Sequence, residues 1–71
     1  MPPKIRQLKA RLRKAGAYQI AQEGSHTKWK HSLIPTETLL LAGNDGKDAK
    51  RYQERDVQDF LHQIEIARRS L

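Results

Sequence analysis

Apolar residues recur at helical spacing at both ends of the chain and in short alternating runs between them. Ile5, Leu8, Leu12 and Ala15 fall on one stripe, which predicts a helix starting near Lys4, behind Pro2 and Pro3, and capped at Gly16. Ala17 to Gln22 reads as a short strand, with Tyr18 and Ile20 on one face and Ala17, Gln19 and Ala21 on the other. Gly24 and Ser25 supply a corner, since glycine tolerates positive φ and serine bonds its own backbone. A second strand then runs from His26 to His31. Pro35 interrupts pairing, and Thr36 to Ala42 predicts a third strand, the most apolar of the three and so expected well inside the sheet. Gly43-Asn44-Asp45-Gly46-Lys47-Asp48 is the clearest loop. Between Lys50 and Gln53 a second helix begins, with Val57, Phe60, Leu61, Ile64 and Ala67 on its buried stripe and Ile66 off it.

The order is helix, three strands, helix. Strands joined by short connections pair antiparallel, leaving one sheet face for both helices and the other for water. The predicted fold is therefore an α+β two-layer sandwich, with residues 1–71 forming one domain. At 71 residues such a domain buries only about 60% of the surface of its unfolded chain. Any site must be shallow and surface-borne. The chain has no cysteine, which removes disulfides, thiolate metal sites and a cysteine nucleophile, and fits a reducing cytoplasm.

Charge changes the picture more than composition does. Fourteen Lys and Arg stand against eight Asp and Glu, a net charge of +6, and the first 31 residues hold eight of the bases with Glu23 as their one acid. That asymmetry points to a polyanionic partner, with nucleic acid first and a membrane surface second. No apolar run approaches the ~20 residues of a spanning helix. In an extended second strand His26, Lys28 and Lys30 project to one side, and Thr27, Trp29 and His31 to the other. The first side suits a phosphodiester: Lys28 and Lys30 hold the anion, and the His26 imidazole can take or give a proton at neutral pH. Arg6, Lys9 and Arg13 of the first helix are further candidates for the phosphate backbone, while Gly24 and Ser25 shape the turn. By residue type alone a surface histidine at a hairpin more often has no task, and it is the surrounding lysines and the basic first helix that narrow the odds. No metal or cofactor is implied, because His26 and His31 face apart and the acids are scattered. Trp29 is expected in the core, Tyr18 is open between core packing and base stacking, and His62 reads as a helix-surface histidine.

Lys14-Ala15-Gly16, a short strand, Gly24-Ser25-His26 and then Trp29-Lys30-His31 resemble the HicA-like mRNA interferase toxins of bacterial toxin–antitoxin pairs. The resemblance spans about residues 4–61. It implies a double-stranded-RNA-binding-domain-like fold, a catalytic role for His26 in ribosome-independent cleavage of mRNA, which the scattered acids make metal-independent, and a HicB-like antitoxin that covers the toxin in a hetero-oligomer. Lys28 stands where an apolar residue is common in that family, and residues 41–44 lack the Pro and His often found there. Two other readings remain at this point: a non-catalytic RNA-binding module of the same fold, and a decayed toxin acting only as a protein partner.

Overall fold

The computed structural model describes all 71 residues. Helix α1 (Ile5–Lys14) leads into strands β1 (Tyr18–Glu23), β2 (His26–Lys30) and β3 (Leu39–Ala42), and helix α2 (Arg51–Arg69) closes the chain. The strands form an antiparallel sheet in the order β1-β2-β3. Ile5, Leu8 and Leu12 of α1 and Val57, Phe60 and Ile64 of α2 meet Trp29, Leu39 and Leu41 in one buried cluster. Both helices thus cover the same sheet face, as the spacing predicts. Each fully buried side chain of this size is worth about 1.5–3 kcal/mol. Leu61, Ala15 and Ala67 sit half-buried at the margin, and Ile66 is exposed.

Three of the four helix ends have an identifiable cause. Beyond Lys14 the chain makes a Schellman turn: Ala17 N–H donates to the Leu12 carbonyl (2.9 Å) and Gly16 N–H to that of Arg13 (3.0 Å), with Gly16 at φ 91°. At the other end of α1, Ile5 and Arg6 donate their N–H groups to the carbonyls of Lys47 and Asp45. The β3–α2 loop therefore satisfies donors that a helix start leaves open. Gln53 does the same for α2. Its Oε1 accepts from Lys50 N–H (2.8 Å) and its Nε2 donates to the Ala42 carbonyl (2.6 Å), which explains a buried glutamine on a stripe read from apolar residues alone.

Three expectations are corrected. The third strand is four residues long, because successive turns from His31 to Ile34 and from Ile34 to Glu37 occupy the segment around Pro35. It is also an edge rather than an interior strand. In a meander with short links each strand lies beside its predecessor, so β2 is central despite its lysines, and Leu40 is left 64% exposed. In β1, a bulge at Ile20 takes one residue out of register: Gln19 pairs with Trp29, and Ala21, not Ile20, pairs with Lys28. Ala21 consequently shares the face of Tyr18. The helix-side positions of β1 are Gln19 and Gln22, and both stay exposed.

A methyl group on Gly16 would approach His31 Nε2 to 3.1 Å at a φ that L residues disfavour. Gly16→Ala is expected to cost about 1–2 kcal/mol, read as a lower urea midpoint with an unchanged slope.

Candidate functional site

Strand β2 sorts its side chains by alternation, and hydrogen bonds lock the sorting. Trp29 is 0% exposed. Its indole Nε1–H donates to Thr27 Oγ1 (2.8 Å), whose hydroxyl donates to the Leu41 carbonyl (3.1 Å). With Thr27 and Trp29 fixed inward, His26 and Lys28 must face outward. The turn holds His26 at the strand's start: Glu23 and His26 pair across a two-residue loop, and Gly24 has φ 61°. A glycine at the first loop position with positive φ is the type II′ pattern, which matches the twist of the flanking strands. Ser25 is a turn residue, and its carbonyl accepts the Gly43 N–H (3.1 Å).

On the open face lies a depression of about 300 Å³, lined by Ala21, Gln22, Glu23, His26, Lys28 and Leu40. The structure brings His26 and Lys28 together there, at the ~6.6 Å spacing of next-but-one strand residues. Lys30 lies farther along the same strand, half-buried, with its ammonium donating to the Pro35 carbonyl (2.8 Å). Glu23 and Leu40 are neighbours of His26 and Lys28 that the alternation along β2 does not place there. A two-residue turn at Gly24-Ser25 would have paired Glu23 with His26. The placement of Leu40 depends on a β2–β3 register that the turns around Pro35 conceal.

The first-helix bases occupy the other layer. Lys9 forms an ion pair with Asp45 (2.6 Å), and the Arg13 guanidinium lies 5.2 Å from the centroid of the Trp29 ring, a cation–π arrangement. Arg6 is exposed, and its backbone N–H donates to the Asp45 carbonyl. None of the three lines the depression at His26, although Lys9 lines a neighbouring one with Gln22, Gly24 and Ser25, at the turn that precedes His26.

His31 is 5% exposed and faces the helices. Its Nδ1 accepts from Leu33 N–H (3.1 Å), which leaves Nε2–H as the donor to the Ala15 carbonyl (2.9 Å). Arg68 donates to that same carbonyl (3.0 Å). Lys14-Ala15-Gly16 and Trp29-Lys30-His31, two separate motifs in the sequence, are thus one contact in space. Tyr18 resolves to the open sheet face at 49% exposure, and His62 is exposed on α2. No three of the His, Asp and Glu side chains cluster in a way that could hold a metal ion.

The fold and its outward residues define a small basic α+β protein that carries a histidine and a lysine on the uncovered face of an antiparallel sheet. The model of the HicA toxin family of bacterial toxin–antitoxin systems matches residues 5–66, and the chain belongs to that family. It is accordingly a toxin of a toxin–antitoxin system, with an antitoxin as its counterpart. No curated protein and no solved structure gives a match. No helix is long and apolar enough to cross a membrane.

The hydrogen bond from Lys9, then its charge, holds the Asp45 carboxyl below its usual value of 3.8. A depressed carboxylate contributes stability above its unfolded value and loses it as pH falls through the folded one. Asp45→Asn should therefore be less stable than the unmodified chain near neutrality, and thermal melts of the two should converge on acidification below pH 3.8.

Proposed function

We propose that the chain is an mRNA endoribonuclease that acts without the ribosome and without a metal, with His26 as its catalytic histidine. The observation that carries this reading is the pairing of an exposed imidazole with an exposed ammonium in one depression on the open face. The imidazole takes the proton from a ribose 2′-hydroxyl, and that oxygen attacks the adjacent phosphorus. The bond to the 5′ oxygen breaks, and the imidazolium returns the proton to the departing oxygen. The products end in a 2′,3′-cyclic phosphate and a 5′-hydroxyl. Lys28 stabilises the negative charge that builds on the phosphate, and Gly24 and Ser25 hold the histidine at the strand's mouth. Acid–base assistance of this kind supplies typically 10²–10⁴-fold in rate, enough for a slow toxin.

A HicB-like antitoxin is the counterpart that this reading assigns, holding the nuclease inert in a hetero-oligomer by covering the face of His26. Arg6, Arg13 and Lys30 serve RNA binding away from the reacting phosphate, since the first two lie on the other layer and the third is held by a loop carbonyl, while Lys9, paired with Asp45, lines a depression at the Gly24-Ser25 turn.

One observation favours a second reading. His26 stands outside every ion pair, so no acid orients its ring, and a module that only binds RNA would need no more. Purified protein incubated with mRNA in EDTA, without ribosomes, separates the two. Shortened RNA with cyclic-phosphate ends is expected, whereas retarded but intact RNA would remove catalysis from the account. His26→Ala should lower cleavage at least ~100-fold. Because the side chain is exposed, the same variant should change stability by no more than about 0.5 kcal/mol, so that lost activity cannot be blamed on unfolding. Full cleavage by a folded His26→Ala would end the assignment.

A further inference from the structure

The open face of the sheet offers more than the two residues that the reaction uses. Tyr18 pairs with Lys30, Ala21 with Lys28 and Glu23 with His26 on one side, and Leu40 with Lys28 and Ala42 with His26 on the other. Residues directly opposite in an antiparallel pair project to the same side. The face is therefore a strip of cationic and flat apolar groups, with Tyr18 at 49% and Leu40 at 64% exposure and Glu23 as its single acid. Neither exposed apolar side chain is needed by the core, which is complete on the other side of the sheet.

We propose that this face is a platform for single-stranded RNA, laid along β2, with the ring of Tyr18 stacking a base about two nucleotides from the phosphate at His26. The proposal rests on the nuclease reading and specifies the form of its substrate. Outward residues of β2 recur every ~6.6 Å, so Lys30, and Tyr18 beside it, lie ~13 Å from His26, comparable to two steps of an extended single strand. Leu40, opposite Lys28, gives the intervening base an apolar surface. Bases in a duplex are stacked on one another and hidden from such a surface, whereas unpaired bases splay onto aromatic side chains. A duplex would offer Tyr18 and Leu40 only phosphate and sugar, leaving both apolar groups against polar backbone. A strip with positive charge, a free aromatic ring and strand-spaced contacts favours an unpaired strand.

The test uses the full chain carrying His26→Ala, so that RNA stays intact, and titrates it with a fluorescein-labelled ten-nucleotide single-stranded RNA and with the same sequence annealed to its complement. The single strand should bind more tightly. Adding Tyr18→Ala should weaken its binding about 5- to 150-fold, the span of one base stack, while Tyr18→Phe leaves it within about twofold. Duplex affinity should not respond to Tyr18. Equal affinity for both forms, or indifference to Tyr18→Ala, overturns the platform. So does a Tyr18-dependent dimer in sedimentation without RNA binding, which would give the face to a second copy of the chain. The reaction is judged separately, with unmutated His26. Cleavage by a protein whose Tyr18→Ala variant binds normally would sink the platform alone, and Tyr18-dependent binding without cleavage would sink the nuclease alone.

Discussion

The hydrogen-bond chain from the Trp29 indole through Thr27 to the Leu41 carbonyl fixes which way β2 faces, and most of the molecule follows from that. A strand has a side-chain period of two, so slipping β2 by one residue would expose the indole and bury His26 and Lys28 in its place. Exposing the indole would forfeit its burial and its bond to Thr27, and unpaired charges in the core would cost more. The core and the candidate chemistry are thus opposite faces of one constraint. The residues that pack Trp29 from the helix side present His26 to solvent without touching it.

The basic character of the chain divides along the same plane. On the helix side Lys9 and Arg13 are committed, one to Asp45 and the other to the face of Trp29. On the open side Lys28 is free, and Lys30 is tied to a loop carbonyl. Net charge steers a polyanion towards the whole surface, but the number of ammonium groups available to hold a phosphate beside His26 is smaller than the sequence count implies.

Much of this was legible because simple periods carried it. The stripes Ile5-Leu8-Leu12 and Val57-Phe60-Ile64 belong to helices whose buried faces are apolar, and the alternation His26-Thr27-Lys28-Trp29 placed the tryptophan inside and the histidine outside. What escaped was set by interactions that leave no periodic trace. The bulge at Ile20 is a backbone insertion in a run that still looks alternating, and it moved Ala21 to the open face. Gln53 is buried because a helix start and the end of β3 both need a partner, which no hydropathy pattern records. The edge position of β3 was concealed by its own composition, since three consecutive leucines suggest an interior strand when in fact one of them faces water. The alternation along β2 also turns His31 away from the open face, and the structure has it buried. Its bond to Ala15 joins residues 16 positions apart, a pairing that neither local sequence foretells.

The clasp of the β3–α2 loop over the start of α1 also bears on the order in which the chain can fold. The N–H groups of Ile5 and Arg6 find their acceptors at Lys47 and Asp45, and Ala49 N–H closes onto the Pro3 carbonyl (2.7 Å). Helix α1 is therefore finished only by residues made some forty positions later. At synthesis rates of ~5–20 residues per second that interval lasts roughly two to eight seconds. During it α1 is an isolated ten-residue helix, below the ~12–15 residues at which helices hold in water on their own. A nascent chain of this toxin thus lacks a settled helix layer until its loop has emerged, and the sheet face bearing His26 acquires its rigid backing only after all three of its strands have been made.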